Sequence, residues 1–265
     1  MNKNNKVAIV TGGAMGYKSG GKSIGGSVAI QLARDGYKVV VVDLGEMGER
    51  TAEIIRENGG EAIFCRKDVT VVKDVKSIVA TAVDKFGGVS ALVNCVALYS
   101  PGMAKNIAEI SEEDWQQTLN VNLNGYFLMS KYAIPQIIKS GNGSIVNISS
   151  IESFIALPNF SVYSVSKGAI DALTRSLATD FAPKIRINSV LPGFVKIANS
   201  ENNRSADELK KWYASVAKQY PMKRVCETDE IANVVSFLVS DKASYINGQS
   251  IVVDGGKSVA DFHEF

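Results

Sequence analysis

At 265 residues, with 46% hydrophobic and 21% charged, the chain is long enough to bury one substantial core and fits a single large α/β domain. Its 29 basic and 27 acidic residues leave a formal charge of +2 with no basic block, which argues against a nucleic-acid partner. Cys65, Cys95 and Cys226 are far apart and form no CxxC pair, so neither a disulfide framework nor a metal site is expected. No apolar run approaches the roughly 18 residues of a membrane span, and a cytoplasmic protein is expected. His263, the only histidine, lies at the chain end, which leaves almost no candidate for a histidine base.

In chain order, Val7-Ala8-Ile9-Val10 is the first predicted strand, followed by a glycine-dense stretch over residues 12–26 and a helix over 24–35. A strand over 39–42 closes on Asp43. Then come a helix over 51–58, a strand over 62–64, a helix over 71–86 and a strand over 91–93. A long helix over 112–139 precedes a strand over 145–148, a helix over 163–181 and a strand over 187–191. Helices over 206–219 and 229–240 and a strand over 251–253 complete the pattern. Ser111 before Glu112, Glu113 and Asp114, and Thr228 before Asp229 and Glu230, read as helix caps. Strict alternation, with strands apolar on both faces, predicts a single doubly wound Rossmann domain over residues 1–265, its seven-stranded parallel sheet covered by helices on both faces.

The glycine-dense turn leaves the first strand at Thr11, where a dinucleotide fold brings backbone against the pyrophosphate at a helix N-terminus. Gly12, Ser23, Ile24 and Gly25 are the candidate contacts, with Lys18, Ser19 and Lys22 as further ligands. Asp43, and Leu44 after it, stand where a carboxylate meets both adenosine ribose hydroxyls and repels a 2′-phosphate, which favours NAD over NADP. A rival reading exists, because residues 16–23 satisfy GxxxxGK[ST] and Asp43 could hold magnesium, as in a phosphate-transfer enzyme. Five residues, Thr11 to Met15, separate the strand end from that motif, whereas a phosphate loop leaves its strand directly.

Tyr163 and Lys167, four apart, share one helix face. An ordinary phenol is a poor base at neutral pH, but a nearby cation favours the phenolate. Bringing its pKa near neutrality takes roughly 4 kcal/mol, from an ammonium in a partly dry cleft together with the charge of an oxidised nicotinamide. Ser150, at the carboxyl end of the fifth strand and 13 residues before Tyr163, places a hydroxyl where it and the phenol meet on one oxygen.

These residues resemble the short-chain dehydrogenase/reductase family, and the likeness runs from Val7 to about Gly256. The resemblance implies oxidation of a secondary alcohol or reduction of a ketone. Tyr163 is then the acid/base and Lys167 its pKa-lowering partner and ribose ligand. Ser150 bonds the substrate oxygen, and Asn122 holds a water that continues the proton path. It also implies cofactor contacts from Asp68 and Val69, from Asn94 and Val96, and from Pro192, Gly193 and Val195. A homotetramer or homodimer is implied by the two long helices.

The sequence departs from the family pattern in places. Thr11 to Asp43 spans 32 residues, about seven more than usual, so the extra residues lie within the phosphate turn. Ser23-Ile24-Gly25 stands for Gly-Ile-Gly, Asn94-Cys95-Val96-Ala97 for Asn-Asn-Ala-Gly, and Ile197 for a threonine. The enoyl-reductase branch also carries a long loop followed by Ser-Ile, but it spaces tyrosine six before lysine, and position 161 here is serine. Ser150, Glu152, Ser153, Phe160, Tyr163 and the segment 197–219 outline the expected substrate pocket. Glu152 with Asn199, Glu201, Asn202 and Arg204 points to a polyhydroxylated ligand, with a 3-oxoacyl substrate as the alternative.

Overall fold

The computed structural model describes residues 6–16, 21–99, 101–198 and 204–260. Seven parallel strands form one sheet: β1 Val7–Thr11, β2 Lys38–Asp43, β3 Ala62–Arg66, β4 Ala91–Asn94, β5 Gly143–Ile148, β6 Ile185–Pro192 and, last in the chain, β9 Ser250–Val253. Their order is β3-β2-β1-β4-β5-β6-β9. The chain leaves β1 on one side for β2 and returns on its other side as β4, so a crevice opens beyond the carboxyl ends of β1 and β4, where such sheets bind ligands.

The five inner strands are buried on both faces because each face meets helices, whereas the edge strand β9 leaves Ser250 and Val252 exposed. Ala8, Val10, Val39 and Val41 pack with Val28 and Leu32 of α1 (Ile24–Arg34) and with Ile231 and Val235 of α8 (Thr228–Val239). Val7, Ile9, Val40 and Val42 join Ile78 of α3 (Val72–Phe86) and Met129, Ala133 and Ile137 of α5 (Gly125–Ser140). Each such buried aliphatic side chain contributes about 1.5–3 kcal/mol relative to exposure, which pins the strand register. Helices α2 (Met47–Glu57), α4 (Glu112–Leu119), α6 (Ser161–Phe181) and α7 (Ala206–Ala217) complete the set.

Two expectations are corrected, and one element was unanticipated. The helix expected over 112–139 is α4 and α5 joined by a π-helical turn, Asn120–Asn124, whose wider winding breaks the 3.6-residue period at Asn122. Thr228 does not cap α8, since the cap position is Glu227 and the Thr228 hydroxyl instead bonds that of Ser27 on α1, 2.7 Å away. A two-stranded sheet, β7 Val195–Lys196 with β8 Cys226–Glu227, was not expected and is too short to leave a periodic signal. Ser111 does cap α4, its Oγ accepting from the Asp114 amide at 3.1 Å.

Candidate active site

Ser150 leaves the end of β5 in extended conformation and caps the single turn Ile151–Ser153, its Oγ accepting from the Glu152 amide at 3.2 Å. The chain then returns into α6, which carries Tyr163 in its first turn and Lys167 one turn on. The Tyr163 phenol lies near the Ser150 hydroxyl, close enough for that hydroxyl to favour its ionised form. Lys167 is only 1% exposed, and its Nζ donates to the Ile148 carbonyl at 2.9 Å. The ammonium sits 5.5 Å from the Tyr163 ring centroid and 5.6 Å from that of Tyr126. The expected trio is therefore brought together at the carboxyl end of the sheet.

The electrostatics run opposite to the expectation for an activated phenol. Burial pushes the Tyr163 phenol well above its ordinary range and the charge of Glu152 adds to this, while the neighbouring Ser150 hydroxyl opposes it. Burial also pulls the Lys167 ammonium down to about 8, resisted by Cys95, Asp171 and Glu152. Lys167 lies against the face of the phenol ring, which explains why it does not by itself bring the phenolate within reach at neutral pH. Further positive charge is needed in the cleft. The Cys95 thiol, buried beside this lysine, is pushed up to about 12 and is a poor nucleophile.

Two expected site residues tie the floor together. Asn122 is fully buried in the π turn. Its Oδ1 accepts from the Leu98 amide at 2.6 Å, and its Nδ2 donates to the Leu98 carbonyl at 3.3 Å and to Ser166 Oγ at 3.5 Å. The side-chain amide thus clamps the loop after β4 to α6. Asn94 Nδ2 donates to Asn147 Oδ1 at 2.9 Å across β4 and β5, whereas its Oδ1 is buried without a partner among the described residues.

Beside the trio lies a backbone cradle. Gly12 has φ +65°, and a Cβ there would lie 2.9 Å from the Val96 amide nitrogen. A Cβ at Gly25 would lie 2.1 Å from the Gly12 carbonyl oxygen, so only glycine lets α1 close against the turn. Ser23 caps α1, its Oγ accepting from the Gly26 amide at 2.9 Å and donating to the Ala14 carbonyl at 2.6 Å; Ile24 opens the helix. Asp43 accepts from the Ala14 amide at 3.0 Å and the Gly45 amide at 2.9 Å, fixing its carboxylate at the end of β2, and Leu44 beside it is exposed. Asp68 accepts from the Thr70 amide and hydroxyl, and Val69 is buried. Pro192 ends β6, the Gly193 amide donates to the Val253 carbonyl at 3.0 Å, and Val195 opens β7. Lys22 pairs with Asp229 rather than pointing into the turn. Lys18, Ser19, Asn199, Glu201, Asn202 and His263 lie outside the described residues, and the Arg204 guanidinium stacks 4.2 Å from the Trp212 ring.

A family model described as enoyl-(acyl carrier protein) reductase matches residues 19–258. An uncharacterized oxidoreductase of Thermotoga maritima is 40% identical over 264 residues, covering 97% of this chain and 99% of its own. The chain belongs to the short-chain dehydrogenase/reductase family. A 2,5-dichloro-2,5-cyclohexadiene-1,4-diol dehydrogenase of Sphingobium indicum is 37% identical over 256 residues, 96% of each chain. The solved structure of an aldohexose dehydrogenase from Thermoplasma acidophilum, in ligand-free form, superposes with a TM-score of 0.86 at 33% identity, covering 99% of this chain and 97% of that one.

As a short-chain dehydrogenase/reductase, this protein is an NAD(P)-dependent oxidoreductase acting on CH–OH groups. The cradle fits such a dinucleotide, with close-packed glycine backbone at the turn and a fixed carboxylate at the second strand end. The phosphate-transfer reading falls with this. Of its motif, Lys22 is paired with Asp229, Ser23 caps a helix, and Asp43 holds two backbone amides. Sequence reasoning missed Thr51, buried on α2, whose Oγ1 donates to the Gly13 carbonyl at 2.8 Å and accepts from the Met15 amide at 3.2 Å, holding the long turn. It missed Tyr220 too, whose Oη accepts from the Phe194 amide at 2.9 Å. Both act across long sequence separations and leave no local pattern.

Proposed function

We propose that residues 1–265 form one catalytic domain that uses NAD to oxidise a secondary alcohol, or to reduce the matching ketone, with Tyr163 as proton acceptor and donor. The observation that carries this reading is the convergence of the Tyr163 phenol, the Ser150 hydroxyl and the Lys167 ammonium at the sheet's carboxyl edge, with the ammonium 5.5 Å from the phenol ring centroid. The dinucleotide, when bound, would supply the hydride acceptor for the alcohol or the hydride donor for the ketone. Ser150 donates to the reacting oxygen and orients it, and Tyr163 takes the hydroxyl proton as the carbonyl forms. Lys167, desolvated and held by the Ile148 carbonyl, keeps a positive charge beside the phenol and offers a donor to the nicotinamide ribose. The Asn122 amide is committed to Leu98, so its part in a water-borne proton path falls to its main chain.

Gly12, Ser23, Ile24 and Gly25 are the proposed diphosphate contacts. Asp43 and Leu44 are assigned to the adenosine ribose, Asp68 and Val69 to the adenine, and Asn94, Val96, Pro192, Gly193 and Val195 to the nicotinamide half. Asp43 supports NAD over NADP, because a 2′-phosphate would meet its carboxylate. The proposed setting is the cytoplasm and the proposed assembly a homotetramer, on the family resemblance of the α4–α5 and α6 surfaces.

The test is a screen of secondary alcohols, polyols and ketones, following nicotinamide absorbance, with wild type and Tyr163→Phe. Turnover by wild type and a loss of about 10²–10⁴-fold in the variant, with cofactor affinity kept, is expected. Undiminished turnover in the variant would refute the assignment.

A further inference from the structure

The proton-transfer machinery leaves Glu152 unused. Its Oε2 is buried, yet it has no hydrogen-bond partner and no ion pair among the described residues. A carboxylate retained for the fold alone is ordinarily paired or multiply hydrogen-bonded, because desolvating it unpaired is unfavourable. Its placement is not loose, since the Glu152 amide donates to Ser150 Oγ at 3.2 Å, tying it to the hydroxyl that orients the reacting oxygen.

Three phenols lie within reach of its charge. Burial chiefly raises the pKa of Tyr99, Tyr163 and Tyr220, and the Glu152 charge adds to the rise in each; they come from the loop after β4, from α6 and from the segment after α7. A carboxylate felt by all three phenols lies close to the reacting end of Tyr163, on the turn that Ser150 caps. The cleft there has an aromatic wall, with the Tyr99 ring 5.6 Å from that of Phe160 and 5.9 Å, edge-on, from that of Tyr163. An acceptor-only carboxylate calls for a donor on the ligand and repels an anion, and the ring faces offer contact to ring C–H groups.

We propose that Glu152 determines specificity by accepting a hydrogen bond from a second hydroxyl of a neutral cyclic diol or polyol, beside the hydroxyl held by Ser150 and Tyr163. The inference rests on the oxidoreductase reading above. The ring diol becomes an α-hydroxyketone. The carbinol C–H bond breaks and its hydrogen leaves with the electron pair to the oxidised nicotinamide. The hydroxyl proton passes to Tyr163 and on to solvent, a C=O bond forms, and the second hydroxyl is unchanged.

The probes are cis-1,2-cyclohexanediol and cyclohexanol, which differ by that hydroxyl, with kcat/KM measured under NAD for wild type, Glu152→Gln and Glu152→Leu. Wild type is expected to prefer the diol by about 10- to 100-fold, the range of one charge-assisted hydrogen bond. That ratio should collapse towards unity in Glu152→Leu and fall part-way in Glu152→Gln, chiefly through KM for the diol. NADH binding followed by fluorescence separates a folded variant from a collapsed one, and if Glu152→Leu does not bind, the near-isosteric Glu152→Gln decides. A wild-type ratio near one overturns the proposal, as does a ratio undiminished in the folded variants or a preference for an anionic 3-oxoacyl thioester. Turnover of cyclohexanol without diol preference removes only the role of Glu152, whereas failure to oxidise any secondary alcohol removes the reading beneath it.

Discussion

Replacing Lys167 by methionine is expected to stabilise the protein while abolishing turnover. Burial pulls the ammonium from its ordinary 10.5 to about 8, so at pH 7 the charged side chain opposes folding by about 3 kcal/mol. Between about pH 8 and 10.5 the unfolded chain holds a proton that the folded chain has released. This contribution to stability therefore rises with pH through that window and is at its least favourable below pH 8. Methionine fills a similar volume without charge. The Ile148 carbonyl is not orphaned, because it also accepts from Tyr126 Oη at 3.0 Å. Calorimetry without nucleotide at pH 7 should show the variant more stable by up to about 3 kcal/mol, or roughly 6–12 °C in Tm for a chain of this size. The gap should narrow as pH is raised from 7 to about 9.5, below the range where unfolded tyrosines ionise. A variant less stable than wild type at pH 7, or a gap that ignores pH, would refute the reasoning.

Two further substitutions probe the cofactor side. Asp43→Ser should shift the NADP/NAD ratio of kcat/KM by at least about tenfold, or about 1.4 kcal/mol, by removing the carboxylate that a 2′-phosphate would meet, and an unchanged ratio in steady-state kinetics would count against that placement. Gly25→Ala would put a Cβ 2.1 Å from the Gly12 carbonyl oxygen and should lower stability by about 1–3 kcal/mol in urea unfolding while weakening NADH binding; a neutral result would mean that the turn yields.

Much of the fold was legible because its signals are local. All seven strands of the sheet were read from β-branched runs that must be apolar on both faces in a doubly covered parallel sheet. Ser150, Tyr163 and Lys167 were legible because a strand end and a helix four-residue spacing bring them together. The π turn was not, because Asn120–Asn124 interrupts a period that the flanking helices otherwise keep. Thr51 and Tyr220 were hidden, one on a helix and one after another, each meeting backbone tens of residues away. Nor did the spacing of Tyr163 and Lys167 reveal that burial outweighs their attraction, since desolvation depends on what the whole cleft excludes.

The central claim is that bound oxidised nicotinamide supplies the charge that lets Tyr163 release its proton. Ultraviolet difference titration of phenolate, comparing wild type with Tyr163→Phe in the presence and absence of NAD⁺, tests it most directly. Without NAD⁺ the Tyr163 phenol should stay protonated through the neutral range, and with NAD⁺ one phenol should ionise below about pH 9 in wild type alone. Identical titrations with and without the dinucleotide would contradict the account.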